Sequence, residues 1–210
     1  MKLTGFQRWL LAASGCAASV AACIAYADRP VAEFVETRVR HTELWILLDR
    51  AFRPLDLVVV SALFFLFGCG IWAASGRALH RWTEDPLLCS SSAIWAVAAD
   101  IIFKQIFGRG WPDPTYVRNH LYGFHLLHGG LHWNSFPSGT AAISTAIVSV
   151  LWIRDPHWRV ISSMIVVLLS GAVVVTNYHW ISDVIAGAFL GAFIGWSTVR
   201  LWVPRSGPIV

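Results

Sequence analysis

Six apolar stretches constrain this chain more than any other feature of it. A helix crosses a bilayer with about 20 apolar residues. Runs of nearly that length or more lie near residues 9–27, 55–75, 87–107, 138–153, 158–176 and 180–202. The fourth is short and needs Pro137 or Arg154 near the membrane interface. Charged residues make up 13% of the 210, about half the ~25% of an average soluble domain. That is too few to cover a water-exposed surface, so the runs predict an all-α, polytopic membrane helical bundle of about six transmembrane helices. The connections are too short for a second domain, so residues 1–210 read as one. Trp9, Trp158, Trp180 and Trp202 fall at the ends of runs, where amphipathic rings form interfacial belts.

The formal net charge of +4 does not imply a nucleic-acid partner, because the basic residues form no patch or stripe. They sit singly between apolar runs and read as topology signals. With the N-terminus inside, Lys2, Arg8, Arg77, Arg81, Arg154, Arg159, Arg200 and Arg205 are cytoplasmic. Arg29, Arg38, Arg40, Arg50, Arg53, Arg109 and Arg118 then lie outside. This orientation, in a bacterial cytoplasmic membrane, places the loops at 109–137 and 177–179 together on the outer, periplasmic face. The first run has a rival reading: Lys2 and Arg8 before an apolar stretch ending Ala25-Tyr26-Ala27 resemble a cleavable signal peptide. Cys16, Cys23, Cys69 and Cys89 fall within runs and read as buried thiols, without disulfide or metal spacing. The connection at 28–54 is either a solvated loop or a surface helix with Val35, Leu44, Trp45 and Leu48 on its apolar face.

Charges inside spans are costly and mark functional candidates. Asp100 and Lys104 stand four residues apart in the third run, acid first, the better order for an ion pair; a purely structural pair is the plainer reading. Lys104 precedes Gly108-Arg109-Gly110-Trp111-Pro112, where a second cation beside a glycine turn suits an anion clamp. Phe136-Pro137-Ser138-Gly139-Thr140 opens an apolar helix. There Ser138 is a good N-cap, Gly139 lets a ligand approach the backbone, and the exposed amides at the positive end of the helix suit a phosphate; a plain helix cap is the blander reading. His179 and Asp183 are again four apart, and Gly187, Gly191 and Gly195 continue the step. Small residues at that spacing let helices pack closely, so this face points into the bundle.

The order of these elements resembles the type 2 phosphatidic acid phosphatase superfamily, which shares its site with vanadium haloperoxidases. The family's first motif, Lys, six residues, Arg-Pro, corresponds to Lys104-Gln-Ile-Phe-Gly-Arg109-Gly-Trp111-Pro112. The second, Pro-Ser-Gly-His, corresponds to Pro137-Ser138-Gly139-Thr140. Of the third, Ser-Arg, five residues, His, three residues, Asp, this chain keeps His179 and Asp183. The resemblance covers about residues 100–195. It implies a phosphatase that uses neither metal nor cofactor: His179 attacks phosphorus, Asp183 orients it, and Lys104, Arg109, Ser138 and Gly139 hold the phosphoryl oxygens. A lipid phosphate or lipid diphosphate is the implied substrate. Trp111 and Val173 stand where the family has arginines, and Arg118 is a possible replacement from the loop. Thr140 stands where the family has its general acid, so His125, His128 or His132 is a candidate substitute. A diphosphate leaving group that departs unprotonated is another way around that loss. The spacing of those three histidines, without a nearby carboxylate, does not favour metal. The competing class is a catalytically inactive relative that serves as a membrane binding or scaffold protein. A transporter, which would show repeated halves or broken midplane helices, and a haloperoxidase fit less well.

Overall fold

The computed structural model describes residues 4–52, 56–76, 83–128, 130 and 132–202. Lys2, Arg53, Arg77, Arg81 and Arg205, which enter the orientation argument, lie outside the described residues, as does the end of the 28–54 connection. The described chain is helical: α1 (Gly5–Tyr26), α2 (Asp28–Phe34), α3 (Glu43–Phe52), α4 (Asp56–Ala74), α5 (Glu84–Phe107), α6 (Gly139–Arg154), α7 (Arg159–Val175) and α8 (Ile181–Trp202). Among the described residues, four stretches are long and apolar enough to cross a membrane, at Gln7–Tyr26, Glu84–Phe107, Pro156–Val175 and Ile181–Trp202; shorter apolar helices occupy Val60–Cys69 and Gly139–Arg154. Helices occupy all six expected runs, four of them long and apolar enough to span on their own. The molecule is an all-α polytopic membrane bundle.

Its core is narrow because the apolar surface faces outward. Phe64, Phe67, Val167 and Leu168 are exposed, as suits side chains that meet lipid, while the buried set is dominated by small residues. Ala96, Ala142 and Ala146 pack with Ile143, Leu190 and Ile194 where α5, α6 and α8 meet. The closest seam is α6 on α8. A Cβ added at Gly187 would fall 2.3 Å from the Ser138 carbonyl oxygen, at Gly191 2.2 Å from that of Ala142, and at Gly195 2.4 Å from that of Ala146. Backbone cannot yield as a side chain can, so the four-residue glycine step sets the helix separation.

Two details differ from expectation. Trp180 is not an interfacial belt residue: it is 2% exposed, and its indole N–H donates to the Gly110 carbonyl at 2.8 Å. A buried tryptophan needs such a partner, and Trp180 spends its N–H pinning the loop after α5 to the start of α8. The 28–54 connection is neither plain loop nor one amphipathic face. It folds as α2, a π-helical turn (Val35–Val39) and α3, with Val35 buried, Trp45 and Leu48 half-buried and Leu44 exposed.

Candidate active site

The site forms at one end of the bundle, where α5 stops and α6 and α8 begin. Helix α5 ends at Gly108, whose φ of 51° is left-handed and whose N–H closes on the Lys104 carbonyl at 3.0 Å. A side chain is excluded there on space as well, since a Cβ would sit 2.1 Å from the His125 carbonyl oxygen. One turn back, Lys104 Nζ meets Asp100 Oδ2 at 2.8 Å. The Asp100 carboxylate lies against Gly139, where an added Cβ would come 2.9 Å from Oδ2. Ser138 caps α6, its Oγ accepting from the Ala141 N–H at 3.4 Å. Its own N–H donates to the Asp183 carbonyl at 3.0 Å. Lys104, Asp100, Gly139, Ser138 and Asp183 are therefore linked step by step around the N-terminus of α6, where backbone amides and the helix dipole favour an anion.

His179 sits on the turn between α7 and α8. The N–H groups of Tyr178 and His179 both donate to the Val173 carbonyl at 3.0 Å, and Asn177 takes a left-handed φ of 57° to make the turn. The imidazole is 6% exposed, with Trp111 over it at 5.0 Å between ring centroids. Its Nδ1 is 3.5 Å from Asp183 Oδ2, an ion-pair separation that is longer than a hydrogen bond. Catalytic contacts of this kind are often long before substrate arrives. Asp183 is wholly buried: Oδ2 accepts from Ser135 Oγ at 2.5 Å and from the Trp180 N–H at 3.2 Å, and Oδ1 pairs with Arg109 at 2.5 Å.

Arg109, expected to hold phosphate, has its guanidinium occupied by protein partners. Its side chain is 1% exposed, and its two terminal nitrogens bind Asp183, Ser182 at 2.6 Å, Asp28 at 2.7 Å and Tyr122 at 3.3 Å. To reach a phosphate it would abandon two buried carboxylates. Burial works against its charge, but Asp183 and Asp28 more than offset this and hold the guanidinium above its ordinary range. Phe124, Trp180 and Tyr122 enclose it, at 4.8, 5.1 and 5.6 Å from ring centre to Cζ. Burial pushes the Tyr122 phenol up while Arg109 pulls it down, and the net rise keeps it the neutral O–H that donates to the Ile24 carbonyl at 3.0 Å.

The remaining candidates divide. Among the described contacts, none joins His125, His128 or His132 to His179. The rings of His125 and His128 lie 3.9 and 6.2 Å from that of Trp133, and the His132 carbonyl accepts from Thr115. These contacts belong to the loop itself and do not support their role as substitute acids. Arg118 does not enter either; it pairs with Asp113 at 3.0 Å on the surface. Val173 is buried and contributes its carbonyl to the His179 turn. Asp28, Ser135, Ser182 and Tyr122 join the cluster around Arg109 and Asp183 without belonging to any of the sequence motifs. A carboxylate directly after the first apolar run was the one available signal for Asp28.

A buried carboxylate behind an imidazole, beside a lysine and a helix N-terminus, can hold a tetrahedral anion and direct a nitrogen nucleophile at it. Comparisons with known proteins give the chain's family and fold. Residues 86–206 match the family model of the PAP2 superfamily. A 76-residue stretch is 38% identical to an undecaprenyl-diphosphatase of Sulfolobus acidocaldarius, covering 36% of this chain and 36% of that protein. The chain thus spans about a third of the length of this curated relative. The fold superposes on the crystal structure of a transmembrane PAP2 type phosphatidylglycerolphosphate phosphatase from Bacillus subtilis with a TM-score of 0.57, at 19% identity and over 96% of each chain.

Proposed function

The chain belongs to the PAP2 superfamily, and from that membership we propose that it is an integral-membrane phosphatase acting on a lipid phosphate or lipid diphosphate. The observation that carries this reading is the convergence of His179, Asp183 and Lys104 on the α6 N-terminus, linked by the Lys104–Asp100 pair at 2.8 Å and the Ser138–Asp183 bond at 3.0 Å. Asp183 fixes the tautomer with the proton on Nδ1, leaving Nε2 to attack phosphorus. As the P–N bond forms, the P–O bond to the leaving group breaks and its electron pair stays on that oxygen. Water then attacks the phosphorus of the phosphohistidine; as the new P–O bond forms, the P–N bond breaks, its electron pair returns to Nε2, and phosphate leaves carrying the water's protons. Lys104, the Ser138 hydroxyl and the Gly139 amide stabilise the equatorial oxygens, the main service a protein renders in phosphoryl transfer.

Thr140 cannot protonate the leaving oxygen near neutral pH, and loss of a general acid costs about 10²–10⁴ in rate. A diphosphate, whose leaving group departs as a stable anion, avoids most of that cost. The diphosphatase named among the relatives supports this preference. The site lies on the outer, periplasmic face of a bacterial cytoplasmic membrane in this reading, with the polar end of α5–α8 presented to substrate headgroups. Trp111, Thr140 and Val173 favour a second reading, a relative that binds such lipids without turning them over.

Phosphate release from detergent-purified protein decides between them. Phosphatidic acid, phosphatidylglycerol phosphate and a polyprenyl diphosphate are offered, each beside a His179→Ala control. Release that vanishes in the control, and is fastest on the diphosphate, is the expected result. Release no faster than the control on all three substrates would leave the binding reading in its place.

A further inference from the structure

The carboxylate that balances Arg109 comes from outside the family-matched region. Asp28 stands at the start of α2, ahead of residues 86–206. It is 1% exposed, and both its oxygens are used: Oδ2 accepts from Arg109 at 2.7 Å and Ser182 Oγ at 2.5 Å, and Oδ1 from the Ser182 N–H at 3.1 Å. The same short helix holds the other flank of His179, where Asn177 Nδ2 donates to the Ala32 carbonyl at 3.1 Å. The turn that carries the nucleophile is thus clamped to α2 on both sides, two residues before His179 and three after it.

Charge arithmetic gives the clamp a purpose. One guanidinium faces two carboxylates, so with both acids ionised the buried triad carries one net negative charge shared between Asp28 and Asp183, and Asp183 is the member that faces His179. Without Asp28, Arg109 would be opposed by Asp183 alone and would cancel the charge that orients the imidazole. We propose that Asp28 is a positioning residue of the active site: it takes up part of Arg109, so that Asp183 remains an effective partner for His179, and it makes α2 part of the catalytic assembly.

This inference rests on the phosphatase reading, so its test has one arm that needs turnover and one that does not. Asp28→Asn keeps the shape and removes the charge. It is expected to lower kcat by about 100-fold, the cost of a small misplacement near the chemistry, with KM changed less than about twofold; Asp28→Glu restores part of the rate. Arg109→Gln also lowers kcat, and the double variant Asp28→Asn/Arg109→Gln is no slower than the slower single, because the two residues act as one unit. Multiplying effects, or an Asp28→Asn rate equal to wild type, would overturn the assignment.

The second arm maps carbethoxylation of His179 by diethyl pyrocarbonate using mass spectrometry, with exposed His157 as internal control. Asp28→Asn is expected to change the His179 labelling rate several-fold relative to His157, and Asp28→Glu to bring it back. An unchanged ratio counts against Asp28. If wild type releases no phosphate from any lipid, the phosphatase reading fails, and the labelling ratio still decides whether Asp28 holds the His179 turn.

Discussion

Both ends of the bundle are closed by an arginine between two carboxylates, and the two clusters differ chiefly in where they sit. At the site end, Arg109 joins Asp28 and Asp183 with all three side chains no more than 1% exposed. At the other end, Arg154 at the foot of α6 reaches Asp85 at 2.6 Å and Glu84 at 3.1 Å, and the three are 21%, 42% and 56% exposed. The residue types and distances are nearly the same. Water around Arg154 screens the pairs and can replace either acid, so the cluster only trims the ends of α5 and α6. Around Arg109 the side chains are shielded from bulk water, each carboxylate must find its partners within protein, and the geometry of Asp183 is fixed as a result. Burial, more than charge count, separates a site's scaffold from a surface ion pair.

The largest expected effect is on the buried side. Arg109→Ala strands two carboxylates without solvent and should cost about 3–5 kcal/mol, read as a fall in thermal unfolding temperature in detergent. Arg109→Lys recovers only part, because an ammonium is a point charge and cannot fork to both acids. If Arg109→Ala unfolds within about 1 kcal/mol of wild type, the contrast between the two clusters collapses.

A middle-sized effect tests what holds the two ends in register. The α6–α8 seam runs from Ser138, at the site, towards Arg154. Gly191→Ala would place a methyl 2.2 Å from the Ala142 carbonyl oxygen, and forcing the helices apart should cost about 1–3 kcal/mol. Gly171→Ala on α7 meets nothing within 4 Å, and the better helix propensity of alanine predicts a gain of up to about 1 kcal/mol. Opposite signs in the two variants would show that the seam, and not helical glycine in general, sets the spacing. Chemical denaturation of both proteins side by side provides the measurement.

Much of this architecture is legible in the sequence, because local periods carry it. The apolar runs give the spans. The four-residue steps Asp100–Lys104, His179–Asp183 and Gly187–Gly191–Gly195 give the inward faces. Long-range partnership is what the sequence hides. Asp28 lies 81 positions from Arg109 and 154 from Ser182, and no periodicity links them. Arg109 reads as an anion clamp because spacing puts it beside Lys104. The Arg109 side chain instead meets two buried carboxylates, one residue after the left-handed turn at Gly108. Trp180 misleads for a related reason: its place at the end of a run is visible, but its partner, the Gly110 carbonyl, is not.

The smallest effect belongs to the exposed cluster, and it sharpens the comparison because it is small. Arg154→Ala removes both surface pairs, yet the two acids it leaves are partly exposed and hydrated. The expected loss is about 0–1 kcal/mol, and it should shrink further in 1 M salt, where the Debye length falls to about 3 Å. The dry cluster should respond little to the same salt, since ions cannot enter among Arg109, Asp28 and Asp183. The measurement is therefore the salt dependence of each variant's destabilisation relative to wild type. A loss at Arg154 that is large and insensitive to salt would mean that this end is also shielded, for instance by lipid headgroups packed over Glu84 and Asp85. Burial in protein would then no longer be the property that separates the two ends.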